Sequence, residues 1–82
     1  MFYVYLLRSI NSPSKTYIGY TTNLKQRIET HNSGGSAYTK EYRPWKLVVY
    51  LAFDSKEKAF SFEKYIKKDR DTPLLKNVFG NS

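Results

Sequence analysis

Hydrophobic positions alternate with a period of two at the start of the chain. In the segment FYVYLLR (2–8), Val4 and Leu6 fall on one face of an extended strand, and Tyr3 and Tyr5 fall on the other. β-Branched and aromatic residues are typical of strands because they pack well on a pleated surface. The pattern therefore predicts a first strand with apolar side chains on both faces.

A turn and a second short strand follow, and together they predict a hairpin. The segment SINSPSK (9–15) clusters Asn, Ser and Pro, which favour turns. TYIGY (16–20) is then predicted to form the second strand, with Tyr17 and Gly19 on one face. A glycine inside a strand weakens it, and the usual reason is a bulge or the close approach of another backbone or a ligand.

The segment NLKQRIETHN (23–32) has the spacing of an amphipathic helix. Asn23 is a good N-cap, and Gln26 stands three residues later at the capping-box position. Leu24 and Ile28 are four residues apart and form an apolar stripe. These features predict the first helix.

Four further segments complete the pattern. SGGSAYTKEYRP (33–44) is polar and bears two glycines, which predicts a loop. WKLVVYLAF (45–53) is nearly continuous in apolar character, as is typical of a central, well-covered strand. Ser55 is predicted to cap a second helix that runs to about Lys68. The last segment, DRDTPLLKNVF (69–79), predicts a break and a short terminal helix.

The order ββαβα, with a short helix after it, predicts an α/β (α+β) fold in which a small sheet packs against helices. A chain of 82 residues supports one modest core, so residues 1–82 are predicted to form a single domain.

The absence of cysteine excludes disulfides and thiolate metal sites, and the single histidine, His31, excludes a cage of several histidines. Neither a membrane-length apolar run nor a signal-peptide pattern is found, which predicts a cytoplasmic protein with no membrane partner.

Net charge is the bulk property that says most about the function of the chain. The chain has 14 Lys and Arg against 7 Asp and Glu, a net charge of +7 and a pI near 9.7. It also has eight tyrosines. Phosphate neutralisation and aromatic contacts are how nucleic-acid binders gain affinity, so this composition favours a polyanionic partner. A small structural protein with a basic, solubilising surface is the alternative on charge alone.

One carboxylate stands out in the helix that contains KAFSFEKYIKK (58–68). At about 100° per residue, Glu63 falls between Ala59 and Phe60 on the apolar side of the helix. A buried carboxylate without a partner is costly, so its position needs an explanation. Lys67 lies four residues on, and a rim ion pair with it is the ordinary explanation. A functional carboxylate is the other.

Several polar groups could join Glu63 in one site. Arg27 and His31 are four residues apart and share a helix face, while Tyr5 and Tyr17 come from neighbouring strands. Each alone has an ordinary interpretation, such as a hydrogen-bonded core histidine or a solvated arginine. Together with a basic background, they suit phosphodiester hydrolysis, which needs a cation for developing charge and a base for the attacking water. A single carboxylate suits Mg²⁺, which keeps most of its waters.

The tyrosine segments carry a resemblance to a known family. YVY (3–5) followed by YIG (17–19) resembles the paired motif of GIY-YIG nuclease domains. The similarity continues through TTNLKQRIETHNSG (21–34), AYTKEYRPWKLVVY (37–50) and FEKYIKK (62–68). It covers nearly the whole chain and is greatest to small stand-alone bacterial members, which are related to a nuclease domain of the bacterial DNA-repair excinuclease. The resemblance implies a three-stranded antiparallel sheet flanked by helices.

The resemblance also implies a role for particular residues. Tyr5 and Tyr17 match the motif tyrosines, and Gly19 matches the motif glycine. Arg27 matches the catalytic arginine, His31 a histidine often found in the site, and Lys15 a position that is frequently basic. Glu63 matches the single ligand of one Mg²⁺ or Mn²⁺ ion, and Asn77 is assigned to a terminal asparagine although no motif anchors that match. Tyr3 stands where the motif has its first glycine, which is common among the small members.

The resulting functional prediction is a metal-dependent endonuclease that hydrolyses phosphodiester bonds, with DNA as the expected polymer. Tyr5 would help to deprotonate the attacking water, directly or through Tyr17. Because a free phenol titrates near pH 10, that role requires neighbouring cations to lower its pKa. The alternative is a non-catalytic nucleic-acid-binding module of the same fold.

The basic residues predict a phosphate-binding surface. The positions assigned to it are Lys15, Arg27, Lys40, Arg43 and Lys67. Small GIY-YIG domains usually work beside a targeting domain, so a protein partner that supplies targeting is expected as well.

Overall fold

The computed structural model describes residues 1–68, which form three strands and three helices. In chain order the elements are β1 (Phe2–Ser9), β2 (Thr16–Thr21), α1 (Leu24–Ser33), α2 (Ala37–Lys40), β3 (Trp45–Phe53) and α3 (Lys56–Lys68). The predicted order is confirmed, with one helical turn, α2, added inside the segment predicted to be a loop. The predicted terminal helix and Asn77 lie outside the described residues.

The three strands form one antiparallel sheet in the order β2-β1-β3. The predicted hairpin of β1 and β2 is confirmed, and its register places Tyr5 directly opposite Gly19. On the other side of β1, Tyr5 lies opposite Tyr50 of β3. The prediction that β3 is the central strand is wrong, because β1 occupies that position. The apolar run of β3 has a different cause: Leu47 packs on one face of the sheet and Val49 on the other.

The first face of the sheet is covered by α3. Val4, Leu6 and Ile18 are buried there against Ala59 and Ile66 of the helix. These five residues are at most 7% exposed. Burial of such aliphatic side chains contributes on the order of 1.5–3 kcal/mol each.

The second face of the sheet is covered by α1 and α2. Tyr5, Leu7 and Trp45 are buried on this side and pack against Leu24 and Ile28 of α1. The alternation predicted for β1 is confirmed, because its tyrosine side and its Val-Leu side belong to different clusters. The second face is therefore the one that contains Tyr5 and, packed beside it, Tyr17.

The helix ends follow ordinary capping chemistry. The Asn23 side chain accepts a hydrogen bond from the backbone N–H of Gln26 at 3.2 Å, which confirms the predicted N-cap of α1. Gly34 ends α1 in the left-handed conformation, with φ of 87°. The Ser55 hydroxyl accepts a hydrogen bond from the N–H of Lys58 at 3.4 Å, as predicted for the start of α3. No helix within residues 1–68 has the length and apolarity needed to cross a membrane.

Candidate active site

A chain of hydrogen bonds runs from β1 through α1 to α2. The Tyr5 hydroxyl lies 2.8 Å from Nε2 of His31, and Nδ1 of His31 lies 2.7 Å from the Thr39 hydroxyl. The indole N–H of Trp45 donates to the Thr39 carbonyl at 2.7 Å. Tyr5 and His31 are each 1% exposed and Thr39 is fully buried. Because both ring nitrogens of His31 have a partner, the plane of the imidazole is fixed.

The second motif tyrosine lies against this pair. The ring centre of Tyr17 is 4.9 Å from that of His31 and 6.3 Å from that of Tyr5. Gly19 makes the arrangement sterically feasible. A Cβ atom at position 19 would lie 2.5 Å from Cζ of Tyr5 and 2.9 Å from Cε2 of Tyr17, which is too close for either ring to stay in place.

Burial sets the protonation of the two central groups. It raises the pKa of Tyr5 above its ordinary value, and the charges of Tyr17 and Glu63 raise it further. Arg27 lowers the Tyr5 pKa, but it does not overcome burial. This differs from the sequence-based expectation, which required cations to dominate. Burial and the charge of Arg27 also lower the pKa of His31, so the imidazole is neutral at pH 7.

A neutral imidazole has one N–H and one acceptor nitrogen, so it passes hydrogen bonds in a single direction. When Nδ1 of His31 carries the hydrogen, it donates to the Thr39 hydroxyl and Nε2 accepts from Tyr5. Thr39 and Tyr5 thus contact opposite nitrogens of the ring. Thr39 was not predicted from the sequence, because a threonine in a short polar segment gives no signal of its own.

Arg27 is exposed on the first half of α1. It lines a surface cleft with Thr21 and Gln26. Its charge lowers the pKa of both Tyr5 and His31, so its guanidinium lies within electrostatic range of the central pair. A cation within electrostatic range of a buried hydroxyl and a neutral imidazole is an arrangement that suits an anionic ligand.

The position of Glu63 agrees with both explanations left open by the sequence, a rim ion pair with Lys67 and a functional carboxylate. Its carboxylate pairs with the ammonium of Lys67 at 3.2 Å, and its side chain is only 17% exposed. The same carboxylate raises the pKa of Tyr5. Lys67 lines a cavity of about 290 Å³ together with Tyr17. The ion pair therefore lies on the side of α3 that faces the tyrosines.

The remaining basic residues lie around α2. The ammonium of Lys15 lies 5.3 Å from the ring centre of Tyr42. Lys40 and Arg43 line a separate surface cavity next to the start and end of α2. All three are exposed, but the structure does not place them at the hydrogen bond between Tyr5 and His31. Asn77 lies outside the described residues.

The donor set fits one hard cation with open coordination positions. Within residues 1–68 no three His, Asp or Glu side chains gather into a metal cage. Glu63 offers a carboxylate at the rim of the site, and Mg²⁺ is commonly bound by one or two carboxylates plus substrate phosphate. A single Mg²⁺ or Mn²⁺ ion is therefore compatible with the residues present.

The pKa of His31 predicts how stability depends on pH. Its folded-state pKa lies below the ordinary value of 6.5, so the unfolded chain binds a proton that the folded chain does not. The free energy of unfolding is expected to fall as the pH drops below about 6.5. Thermal melts between pH 5 and 8 should show this slope, and His31→Gln should flatten it. Parallel pH profiles for the two proteins would contradict the assignment.

Comparisons with known proteins show which family the chain belongs to. The family model of the GIY-YIG catalytic domain matches residues 1–76. Two UPF0213 proteins of Streptococcus pyogenes, from serotypes M3 and M1, are each 46% identical over 67 residues, which is 80% of this chain and 71% of the relative. The solution NMR structure of a UPF0213 protein of Bacillus halodurans is 38% identical, with a TM-score of 0.57, and the match covers 99% of this chain and 88% of that one. The chain therefore belongs to the GIY-YIG family of nuclease-type catalytic domains.

Proposed function

We propose that the protein is a metal-dependent endonuclease that hydrolyses phosphodiester bonds, with DNA as the expected polymer. The observation that carries the proposal is the buried hydrogen bond between Tyr5 and His31. Two opposite charges act on it: Arg27 lowers the pKa of Tyr5 and Glu63 raises it. Proton transfer, anion binding and metal binding thus each have a side chain available at one place.

Tyr5 acts as a proton relay in this proposal. Its hydroxyl takes a proton from the attacking water as its own proton passes to Nε2 of His31, 2.8 Å away. The water becomes the nucleophile and His31 becomes an imidazolium, so charge is balanced. A free phenolate is not required, which removes the difficulty of the raised pKa of Tyr5. The hydrogen bond that Nδ1 of His31 donates to the Thr39 hydroxyl leaves Nε2 as the acceptor that faces the tyrosine.

Arg27 stabilises the negative charge that develops on the phosphate. Its charge already acts on Tyr5 and His31 in the free protein, so it is available as negative charge accumulates. The same cation disfavours the imidazolium of His31, which favours return of the proton from Nε2 through the Tyr5 hydroxyl to a product oxygen after the bond is cleaved. Tyr17, in ring contact with His31, bounds the place where the phosphate would lie.

Glu63 would hold the metal ion on the leaving-group side. The ion, when bound, neutralises charge on phosphate oxygens. Lys67 lies 3.2 Å from the same carboxylate, so its ammonium and the metal compete for Glu63. Displaced from that pair, Lys67 can contact a phosphate instead, and its half-exposed side chain leaves it room to do so.

A second candidate function is binding without cleavage. Two observations favour it: Lys67 already neutralises Glu63, and burial keeps Tyr5 protonated. A binding module would need the basic surface but neither the relay nor the metal. Cleavage is therefore the property that separates the two functions.

The proposed function predicts cleavage that requires metal and binding that weakens steeply with salt. Supercoiled, branched and single-stranded DNA and RNA should be incubated with the protein in Mg²⁺, Mn²⁺ or EDTA, and affinity measured at several salt concentrations. Cleavage is expected only with metal, and affinity should fall with salt because neutralised phosphates release counterions. Salt-insensitive binding, or none at low salt, would remove nucleic acid as the partner. Strong binding without cleavage in any metal would favour the second candidate function, a module that binds nucleic acid without cleaving it.

A further inference from the structure

Three tyrosine rings form a continuous surface that leads away from the catalytic pair. We call Tyr17, Tyr38 and Tyr42 the tyrosine surface. Tyr38 lies in the middle, with its ring centre 5.8 Å from that of Tyr17 and 6.4 Å from that of Tyr42. Tyr38 is 52% exposed. The roles of Tyr5, His31, Arg27 and Glu63 in hydrolysis do not account for an exposed ring at this place.

The backbone at Tyr38 is held in place although its ring is exposed. It belongs to α2, and the next residue in that helical turn, Thr39, is fully buried. Thr39 is held by His31 through its hydroxyl and by Trp45 through its carbonyl. The same contacts that orient His31 therefore also hold Tyr38 beside Tyr17. A pre-positioned aromatic ring loses little entropy when a planar ligand stacks on it.

Cations lie at both ends of the tyrosine surface. At one end Lys67 lines a cavity of about 290 Å³ with Tyr17 and Tyr38. At the other end the ammonium of Lys15 lies 5.3 Å from the ring centre of Tyr42. Exposed aromatic rings flanked by lysines are the combination that binds single-stranded nucleic acid, where bases stack on rings and phosphates pair with cations.

We propose that the tyrosine surface binds an unpaired nucleobase next to the scissile phosphate. This inference rests on the proposed function, because the scissile phosphate is placed by Tyr5 and Arg27. In a duplex the faces of the bases are covered by their neighbours, and only base edges and backbone are accessible. An exposed ring such as Tyr38 can stack only on a base that has left the duplex. The substrate class is therefore single-stranded or locally unpaired nucleic acid.

The test compares variants that keep or remove the ring of Tyr38. Tyr38→Ala is expected to weaken binding to a labelled oligothymidylate by on the order of tenfold in EDTA, since base stacking on an aromatic ring has about this effect. Tyr38→Phe should bind like the wild type. Affinity for a linear duplex without unpaired bases should change little in both variants. Tyr65→Ala is the matched control, because Tyr65 is 56% exposed and lies about 200° around α3 from Glu63.

Further arms identify the ligand and the possible failures. Affinity for oligouridylate, measured beside that for oligothymidylate, shows whether RNA or DNA is preferred. Both ligands present unpaired bases. Equal loss of single-strand and duplex affinity in Tyr38→Ala would overturn the inference, because it would show a backbone contact. Unchanged single-strand affinity in that variant would overturn it as well. Thermal melts of all variants show that any loss does not come from unfolding.

Binding and cleavage results separate this inference from the proposed function. Single-strand binding that depends on the Tyr38 ring, with no cleavage in Mg²⁺ or Mn²⁺, would support the surface and overturn the endonuclease. Metal-dependent cleavage with a single-strand affinity that does not depend on the Tyr38 ring would support the endonuclease and overturn base binding by the tyrosine surface. The expected result is a ring-dependent affinity together with cleavage of strands that have unpaired bases.

Discussion

Replacing Glu63 with glutamine is expected to abolish metal-dependent cleavage while leaving nucleic-acid affinity in EDTA unchanged or improved. Glutamine keeps the shape of the side chain but removes the charge that would hold the cation. One negative charge next to a bound phosphate also disappears, so binding without metal should not suffer. Glu57→Gln is the matched control, because it removes the same charge from an exposed position on the same helix. That control should cleave normally.

The stability of the Glu63→Gln variant distinguishes a metal ligand from a structural ion pair. The pair with Lys67 has a half-exposed ammonium, and such pairs contribute about 0–1 kcal/mol. The substitution also removes a carboxylate that is mostly out of water, which offsets the lost attraction. Thermal melts in EDTA should therefore show a change in the free energy of unfolding within about 1 kcal/mol. A large loss of stability with cleavage retained would make Glu63 a structural residue.

Gly19→Ala is expected to reduce both stability and cleavage by a steric mechanism. The added Cβ would lie 2.5 Å from Cζ of Tyr5, which stands directly opposite in the sheet. Overpacking of this kind typically costs about 1–3 kcal/mol. The ring of Tyr5 would have to shift away from His31, and a displacement of about 1 Å at a reacting group can reduce the rate about a hundredfold.

Thermal melts and single-turnover cleavage measure the two effects of Gly19→Ala. In an ordinary strand position alanine is favoured over glycine by roughly 0.5–1 kcal/mol, so the expected sign is opposite to the usual one. A variant that is more stable than the wild type and cleaves equally well would show that the rings of Tyr5 and Tyr17 have room to move. The contact at Gly19 would then not define the site.

The two faces of the sheet could be predicted from sequence because they follow a local rule. The alternation in β1 assigned Tyr5 to one face and Leu6 to the other, and the structure confirms both. The N-cap at Asn23 was predictable for the same reason, since a cap needs only the three residues that follow it. The conflict between the charge of Glu63 and its apolar helix face also pointed to the rim of the site.

Long-range features could not be predicted in this way. The apolar run of β3 indicated a central strand, but strand order depends on pairing between distant segments, and helices on both faces give an edge strand the same composition. The single turn of α2 is held by the hydrogen bond between His31 and the Thr39 hydroxyl and by the one that Trp45 donates to the Thr39 carbonyl. None of these pairs is visible as a periodic pattern. The raised pKa of Tyr5 likewise depends on burial by distant residues.

The most direct measurement of the central claim is cleavage by the wild type and by Glu63→Gln, purified in the same way and assayed side by side. The substrate is a labelled DNA with both paired and unpaired regions, in Mg²⁺, in Mn²⁺ and in EDTA. We predict that the wild type cleaves only with metal and that the variant binds the DNA but does not cleave it. Equal cleavage by the two proteins, or no cleavage by the wild type in either metal, would contradict the assignment of this site as a metal-dependent endonuclease.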